Sequence, residues 1–371
     1  MDEMKIDNSS YILLMPLVAH YRKELISEIS KLGVDLTIAS DFNPNSNISI
    51  LKENELKKLH SEIKLKHLRT YNIFGKLYFQ RGIIKTLIQK RGVNLIAVCN
   101  VYNLSMWIVL LLKKILGVNV RIWTHGNLCD KRNLKYRIKN FMYSLSDHII
   151  FYEKRSEQFF KYDFPNHSTS VCYNSFNYYK FKELRKRTYG NNEEVYFCFV
   201  GRLTSQKSLN LIIEALNILQ NEKNLDIGFK FLGSGDEENV LRALSDKYKL
   251  RNIEFLNASY DPSRIHEICK LSKGMVSPGN VGLSAITAIS CGIPVITHNN
   301  LCNQMPEVGS LMEGITGHFF NENDYLELSK IMEKQLFSKG YSEDQFYQIL
   351  DTYYNPIFQS KVLIQADVSI S

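Results

Sequence analysis

The sequence predicts an α/β protein made of two doubly wound domains, each built on a parallel sheet. Three observations carry this prediction. The chain has 371 residues, more than one ordinary hydrophobic core organises. Short apolar runs alternate with amphipathic stretches of helical length. A charged segment, 180–192, then interrupts the alternation with the turn signal Gly190-Asn191-Asn192, which indicates a linker between the domains.

The predicted elements follow in two series. In the first half, the predicted strands are Tyr11–Pro16, Asp35–Ala39, Asn94–Cys99, Val118–Thr124 and His148–Tyr152, and the predicted helices are Tyr21–Leu32, Phe79–Arg91, Leu104–Leu116 and Asn133–Leu145. In the second half, the predicted strands are Val195–Val200, Gly228–Leu232, Ile253–Leu256, Gly274–Val276 and Pro294–Thr297, and the predicted helices are Ser208–Gln220, Leu283–Ser290 and Ser342–Ala366. The expected domains are 1–185 and 186–345, with a helical segment, 346–371, packing back toward the N-terminal domain.

Composition excludes several classes of protein. The seven cysteines are an odd number without a C-x-x-C pair, and the nine histidines lack the spacing of zinc ligands. The first residues, Met1–Met4, are acidic where an export signal is basic, and the apolar stretch Met106–Leu112 is too short to span a bilayer. We therefore expect a cytoplasmic protein that needs no metal.

Charge is divided unevenly between the halves. The net charge is +8 overall, but residues 1–190 hold 31 basic and 16 acidic side chains, which gives +15, and the remainder is −7. The basic excess lies mainly between Lys64 and Lys139. It fits a solvated face, a nucleic-acid patch or a surface facing anionic lipid. Nucleic acid is the least favoured partner because no binding motif accompanies the charge.

The first candidate site follows the strand that opens the second half. Gly201 lets a ligand approach the backbone closely, and Arg202 and Lys207 are two cations placed to hold a diphosphate next to a helix N-terminus. An exposed Arg and Lys at a loop rim explain the same residues equally well.

A second strand–glycine–helix junction runs from Ser277 to Ile296. The backbone N–H groups of Gly279, Asn280, Val281, Gly282 and Leu283 front an apolar helix that ends at Gly292. The alternative is a tight structural turn, but two such junctions in one domain favour a phosphate site.

A third candidate follows the first strand of the chain. In the segment Pro16–Arg22, His20 and Arg22 are candidates for contact with an acceptor or a phosphate. A polar helix start is as good an explanation.

The motifs Gly201-Arg202-Leu203 with Lys207, Phe231–Gly235 and Ser277–Ile296 together resemble the donor-binding half of family 4 glycosyltransferases. The resemblance covers most of 195–325 and implies the GT-B fold, two Rossmann-like domains facing a central cleft, with an N-terminal acceptor domain and a C-terminal nucleotide-sugar domain. It implies that Arg202 and Lys207 hold the donor diphosphate and that the loop at 279–283 wraps the donor sugar. His125, in Trp123–Gly126, would face that sugar and its phosphate. A strand-end histidine bonded to backbone is the alternative.

The sequence also departs from that family. Two glutamates usually stand eight residues apart in the loop and helix, and Gly279 and Thr287 occupy these positions here. The form Pro278–Leu283 resembles a bacterial polysaccharide subgroup, so we interpret the site as a variant. The chain has no Asp-x-Asp pair to hold a metal, so we expect Arg202, Lys207 and the helix N-terminus to stabilise the leaving diphosphate. The resemblance implies retention of anomeric configuration.

The expected function is glycosyl transfer, in the hexosyltransferase class, from a nucleotide-diphosphate sugar to a lipid-linked glycan. Bacterial surface polysaccharide synthesis, of O-antigen or capsule, is the expected setting, at the inner face of the plasma membrane. Docking there would use the basic helix carrying Arg81, Lys85, Lys90 and Arg91, with Leu87 and Ile83-Ile84 as its apolar side. The alternatives are a nucleotide-sugar 2-epimerase of the same architecture and a non-catalytic nucleotide-sugar-binding protein.

Overall fold

A computed structural model describes residues 9–43, 50–189, 194–338 and 340–365. By their internal contacts, the residues divide into two compact units. The N-terminal unit comprises Met1–Asn177 with Tyr353–Ser371, and the C-terminal unit comprises Tyr178–Thr352. The expected limits were 185/186 and 345/346. Both Met1–Met4 and the turn at 190–192, which supported the expected linker, lie outside the described residues.

Each unit is built on one large parallel sheet, and two further strands of the N-terminal unit pair antiparallel in a separate hairpin. The strands of the N-terminal unit are β1 (Ser10–Leu14), β2 (Asp35–Ser40), β3 (Lys64–His67), β4 (Arg69–Phe74), β5 (Leu77–Arg81), β6 (Asn94–Val98), β7 (Asn119–Thr124), β8 (His148–Phe151) and β9 (Thr169–Val171). Those of the C-terminal unit are β10 (Tyr196–Val200), β11 (Gly228–Leu232), β12 (Ile253–Leu256), β13 (Met275–Val276), β14 (Val295–His298) and β15 (Gly317–Phe320). The central strands β1 and β10 are almost wholly apolar, as a sheet covered on both faces requires.

The helices connect these strands. They are α1 (Lys23–Lys31), α2 (Glu53–Leu59), α3 (Ile83–Gln89), α4 (Leu104–Leu116), α5 (Leu134–Ser144), α6 (Lys154–Asp163), α7 (Tyr178–Leu184), α8 (Asn210–Asn217), α9 (Glu238–Lys247), α10 (Pro262–Lys270), α11 (Leu283–Ser290), α12 (Tyr325–Leu336), α13 (Glu343–Tyr353) and α14 (Pro356–Gln365). Local signals set their ends: the Asn103 side chain caps α4 by accepting from Met106 N, and Gly117 closes it in the left-handed conformation.

Both sheets have the same strand order. In the N-terminal unit it is β3-β2-β1-β6-β7-β8-β9, and in the C-terminal unit it is β12-β11-β10-β13-β14-β15. In each sheet, the order reverses beside the first strand, between β1 and β6 and between β10 and β13. Such a reversal opens a crevice at the carboxyl ends of the strands, where doubly wound proteins bind ligands. The prediction of two Rossmann-like doubly wound sheets is therefore confirmed.

The structure corrects one predicted helix. The start of the predicted helix Phe79–Arg91 lies in β5, which pairs antiparallel with β4, and α3 begins only at Ile83 after Gly82 at φ 107°. The tyrosines and phenylalanines of this segment favour the β conformation, so the segment forms a hairpin and not a helix. Ile83 and Leu87 are fully buried in the core, so the apolar side of α3 faces inward and is not the membrane-facing side that we expected.

The C-terminal helical segment divides between the units. The predicted helix Ser342–Ala366 consists of two helices, α13 and α14, and Ala366 lies outside the described residues. Helix α14 belongs to the N-terminal unit, where the Tyr11 hydroxyl donates to Ile364 O at 3.0 Å and Arg121 Nη1 donates to Ile364 O at 2.7 Å. These bonds satisfy the carbonyls that the last turn of a helix leaves open.

Candidate functional site

In the C-terminal unit, two loops meet at the point where the strand order reverses. The first follows β10 and runs from Gly201 to Lys207; the second follows β13 and leads to α11. Gly279 N donates to Lys207 O at 2.9 Å, so the loops are joined through their backbones. A Cβ on Gly279 would lie 2.2 Å from Gln206 O, and only glycine permits this approach.

A third loop, after β11, closes against the first. Leu203 N donates to Ser234 O at 2.9 Å, and a Cβ on Gly233 would lie 1.8 Å from Gly201 O. The glycines of Phe231–Gly235 therefore serve close packing of backbone on backbone. The result is a rigid floor of three strand-end loops beside the β10–β13 crevice.

Lys207 is a half-buried cation of this floor. Its Nζ donates to Asn280 O and, at 2.8 Å, to Asn280 Oδ1, which ties the side chain to the second loop. Burial lowers the pKa of Lys207 to about 8, nearby Arg202 lowers it further, and Glu307 opposes them. Arg202 itself is exposed. The pair thus combines a fixed ammonium with a guanidinium free to approach a ligand, which suits a diphosphate.

The second loop is held from behind by a residue that sequence reasoning missed. Val281 N donates to Gln304 Oε1 at 2.7 Å, and Gln304 Nε2 donates to Thr297 Oγ1 and His298 O. Helix α11 then starts at Leu283, with Gly282 as its N-cap and no side-chain cap. Its first N–H groups are therefore not capped by a side chain and can meet an anion.

Thr287 lies one turn into α11. Its hydroxyl donates to Leu283 O at 3.1 Å, within the same helix. The structure thus brings Gly201, Lys207, Gly279 and Asn280 together, whereas the bonds of Thr287 to other described residues stay within α11 and its C-cap.

In the N-terminal unit, Arg22 lies buried beneath the carboxyl end of the sheet. Its Nη2 donates to the Tyr152 hydroxyl at 2.6 Å, and its guanidinium lies over the Trp123 ring, 4.2 Å from the centroid. Burial lowers the pKa of Arg22, but Tyr152 and Tyr21 outweigh this and raise it, so the side chain stays charged. Within the described residues, Nη1 has no hydrogen-bond partner.

His125 follows β7 next to this arginine. Its ring meets Tyr152 edge-on, with centroids 4.7 Å apart, and Tyr152 in turn stacks on Trp123. Burial lowers the pKa of His125 to about 4, with further lowering by Lys139 and Arg22, so the imidazole is neutral at pH 7. The structure thus brings Arg22 and His125 together.

Two further side chains of this unit, Lys139 and His20, differ in their surroundings. Lys139 Nζ donates to Gly126 O, and burial, with Lys135, lowers its pKa to about 8. His20, by contrast, is exposed and faces Glu55, with Nε2 3.7 Å from Oε1. Although His20 and Arg22 share one 3₁₀ turn, they have different neighbours.

Among the described residues, no group of three or more His, Cys, Asp or Glu side chains is arranged to hold a metal ion. None of the described helices combines the length and the hydropathy that crossing a bilayer requires.

Comparison with known proteins agrees with this geometry. Residues 180–346, a little under half of the chain, match the family described as glycosyl transferases group 1. No curated protein matches the sequence at a significant level. The matched segment holds all the loops of the C-terminal site.

Solved structures extend the likeness to both units. A glycosyltransferase from Rickettsia africae has a TM-score of 0.72 at 16% identity, covering 97% of this chain and 98% of that one. HepE from Anabaena, in complex with UDP, has a TM-score of 0.68 at 13% identity, covering 96% and 98%. The lipopolysaccharide outer core galactosyltransferase WaaB has 0.69 at 13%, covering 97% and 100%. The fold is GT-B. Together, the matched domain and this fold support a glycosyltransferase.

Proposed function

We propose that this GT-B protein, a family 4 enzyme, moves a sugar from a nucleoside-diphosphate sugar onto a lipid-linked glycan in bacterial surface polysaccharide synthesis. The observation that carries the proposal is the half-buried Lys207, bonded to Asn280 where two strand-end loops meet, inside the segment that matches the glycosyl transferases group 1 family. A fixed ammonium at such a crevice matches the charge that builds on a leaving diphosphate.

The chemistry follows from that charge. As the anomeric C–O bond breaks, its electron pair passes to the diphosphate oxygen, and the sugar develops positive charge. The acceptor hydroxyl forms the new C–O bond and passes its proton to an oxygen of the departing diphosphate, which lies on the same face. Lys207, Arg202 and the N-terminus of α11 stabilise the departing diphosphate without a metal, and the acceptor attacks the face that the diphosphate leaves, which retains the configuration.

The substrate classes are supported by the similar structures. HepE is described in complex with UDP and with UDP-glucose, WaaB as a lipopolysaccharide outer core galactosyltransferase, and WaaG as involved in lipopolysaccharide biosynthesis. By analogy, the donor here is a nucleoside-diphosphate hexose and the acceptor a lipid-linked surface glycan.

The experiment is a screen of the purified full-length chain against UDP, GDP, ADP, CMP and dTDP sugars, read as nucleotide release with and without glycan acceptors. Slow hydrolysis of one donor, accelerated by an acceptor, is the expected result. Epimerised nucleotide sugar without release would favour the epimerase, and binding without either product would favour a non-catalytic protein. The Lys207→Ala variant is the control for release from this site.

We further propose that the N-terminal unit docks on an anionic membrane. Helix α4 exposes one apolar stripe at i, i+3, i+4 and i+7 spacing, and α5 exposes a second one; the residues are Ile108, Leu111, Leu112 and Ile115, then Leu134, Ile138 and Phe141. A contact between the Trp107 and Phe141 rings, 6.3 Å apart, places the two helices side by side. Exposed apolar patches of this kind mark interaction sites.

The occupant is inferred from the charges around these stripes. Lys114 on α4 and Lys135 and Arg137 on α5 are exposed beside them. Basic side chains around an apolar surface complement anionic lipid headgroups, each contributing about 1 kcal/mol. The polybasic excess of the N-terminal half fits the same partner.

Vesicle co-sedimentation tests this docking. The chain is expected to sediment with anionic vesicles, less so at high salt and hardly at all with neutral ones. Leu111→Gln with Ile115→Gln should weaken recovery, whereas Val240→Gln with Leu326→Gln, exposed apolar residues of the C-terminal unit, should not. Equal recovery of the two double variants would refute the assignment of this surface.

A further inference from the structure

The hairpin of β4 and β5 presents one face to solvent. In its register, Arg69 lies directly opposite Arg81. Two residues closer to the turn, Tyr71 lies directly opposite Phe79. Because side chains alternate across a strand, these four lie on the same face of the hairpin. All but Phe79, which is half-buried, are exposed, and Tyr71 is 43% exposed. The exposed face thus combines two aromatic rings with a pair of arginines.

The opposite face holds the hairpin against the N-terminal unit. Gln80 is fully buried, its N donates to Ser105 Oγ at 2.7 Å, and its Oε1 accepts from Asn103 Nδ2 at 2.8 Å. Thr70 N donates to Asp41 Oδ2 at 3.0 Å. Asp41 follows β2 and Asn103 follows β6, so these bonds attach the hairpin at the carboxyl edge of the sheet. The exposed face therefore has a fixed orientation at the edge where doubly wound proteins bind ligands.

The two arginines of this face lack an acidic partner. No carboxylate of the described residues lies within ion-pair distance of Arg69 or Arg81, and residues 69–91 include neither Asp nor Glu. Like charges directly opposite each other destabilise an antiparallel pair of strands. Both guanidinium groups reach the Tyr71 hydroxyl, and their hydrogen bonds, that of Arg81 first, lower the pKa of this phenol. An anion bound between the two guanidinium groups would offset their repulsion.

The chemistry of this face differs from that of the surface formed by α4 and α5. That surface exposes mainly aliphatic side chains, whereas the hairpin face exposes a phenol between two arginines. Aromatic rings pack against the C–H groups of a sugar ring, and the planar guanidinium fork matches the oxygens of a carboxylate or a phosphate. The combination fits an acidic sugar. Since Ile73 and Phe74 at the tip of the hairpin are exposed and apolar, an anionic membrane is the competing occupant.

We propose that the exposed face of the hairpin binds an acidic sugar residue, with Arg69 and Arg81 holding its anionic group and Tyr71 packing against its ring. The assignment of this sugar to the acceptor glycan rests on the proposed transferase function. It narrows that function to acceptors that carry an acidic sugar, such as a uronic acid, close to the residue that is extended. Binding itself requires neither donor nor catalysis.

The test is a binding measurement without donor. An oligosaccharide of alternating glucuronic acid and N-acetylglucosamine is titrated calorimetrically into the full chain, beside the same oligosaccharide with its carboxyl groups reduced to alcohols. Only the acidic form is expected to bind. Arg69→Gln with Arg81→Gln should weaken binding at least about tenfold. Lys57→Gln with Lys58→Gln removes two exposed charges from α2 of the same unit and should leave the affinity unchanged.

Two outcomes of this titration would overturn the proposal. Equal affinity of the two double variants would show that the arginine pair does not hold the ligand. Equal binding of the acidic and the reduced oligosaccharide would show that the anionic group is not recognised.

Two single variants distinguish a shaped site from attraction by net charge. Tyr71→Ala keeps the charge of the hairpin and should weaken binding severalfold, because the ring that packs against the sugar is lost. Arg81→Lys keeps the charge and loses the planar fork, so it should also weaken binding. Both side chains are exposed, so circular dichroism should show an intact fold. Unchanged affinity in both variants would refute the site.

Further ligands identify the anionic group and test the competing occupant. The same oligosaccharide with 6-phosphates in place of its carboxylates is titrated into the same variants. If its binding depends more strongly on the arginine pair, the group is a phosphate; if less strongly, it is a carboxylate, and an acidic sugar stands in both cases. Sedimentation with anionic vesicles that requires Arg69 and Arg81, without binding of any oligosaccharide, would make this face a membrane contact and overturn the proposal.

The same variants separate this site from the transferase function. If the chain transfers no sugar but binds the oligosaccharide through Arg69 and Arg81, the transferase function fails and the sugar site stands. If it transfers sugar equally well with and without the two arginines and binds no acidic oligosaccharide, the transferase function stands and the site fails.

Discussion

Each unit holds a half-buried lysine near the carboxyl end of its sheet, and the two differ in their surroundings. Lys207 and Lys139 both bond to backbone carbonyls, and burial lowers the pKa of each to about 8. Lys207 has the Glu307 carboxylate nearby, which partly offsets the cost of its charge. Among the described residues, the groups that perturb Lys139 or are perturbed by it, Lys135 and His125, are basic. Burial therefore disfavours the charge of both lysines to a similar extent, and at Lys207 a carboxylate offsets part of this effect although Arg202 adds to it.

The largest expected effect is a loss of transfer activity when the cations of the C-terminal unit are replaced. Arg202→Ala and Lys207→Ala should each lower kcat/KM for transfer by about a hundredfold, because a preorganised cation at the leaving group is lost. Circular dichroism should show an intact fold, since Arg202 is exposed and, among the described residues, the side chain of Lys207 bonds only to Asn280. Near-normal rates in both variants would end the diphosphate assignment.

The second effect is on the free energy of unfolding, and it should distinguish Lys139 from the exposed lysine on the same helix. Lys139→Met removes a half-buried ammonium and should raise the free energy of unfolding by about 2 kcal/mol at pH 7, measured by urea titration. At pH 7 the lysine is charged in both the folded and the unfolded state, so folding bears the full burial cost. Between pH 8 and 10.5 the folded state sheds this proton first, so the gain should shrink as the pH rises.

The control for this prediction lies four residues earlier on the same helix. Lys135 is exposed, and Lys135→Met should change the free energy of unfolding by less than about 0.5 kcal/mol. A loss of stability in Lys139→Met at pH 7 would mean that its bond to Gly126 outweighs burial of the charge.

The fold was largely predictable, because buried parallel strands leave strong apolar runs. Helices α4 and α11 and strands β11 and β12 begin and end at the predicted residues. The hairpin of β4 and β5 was not predicted. The spacing of its aromatic residues is also compatible with an amphipathic helix, and the sequence of one strand does not show which other strand it pairs with.

The site was predictable only where glycines mark loops. Gly201 and Gly279 signalled close backbone approach, and the structure gives that approach its partners, Gln206 and Gly233. Lys139 carried no signal, because five basic residues crowd 131–139 and only burial distinguishes one of them. Gln304 was not predicted either, because its role depends on a tertiary hydrogen bond from Val281 that the sequence does not show.

A third, smaller effect is the pH dependence of transfer, which shows which of the two lysines titrates. Transfer should fall above pH 8, approaching tenfold per pH unit in kcat/KM, because the ammonium of Lys207 is lost and leaves the diphosphate less stabilised. Lys207→Arg should keep its charge and flatten the profile if the C-terminal lysine is responsible. A profile flattened instead by Lys139→Arg would move the titrating group to the N-terminal unit, and a decline in both variants would refute either assignment.

The smallest expected effect is none at all, in the presence of EDTA. Metal-dependent transferases often hold the ion with an Asp-x-Asp pair, and the sequence has none. If Lys207 and Arg202 carry the charge of the departing diphosphate, chelation should leave kcat unchanged, and added Mn²⁺ or Mg²⁺ should not raise it. The Lys207→Ala variant sharpens this test. If the substrate recruited a metal ion, that ion would partly compensate for the missing ammonium, and Mg²⁺ would raise the activity of the variant. In the proposed mechanism no metal takes part. We therefore expect Lys207→Ala to respond to Mg²⁺ no more than the unmodified chain does. Loss of activity in EDTA, restored by either ion, would show instead that the loops of the C-terminal unit bind the diphosphate together with a metal.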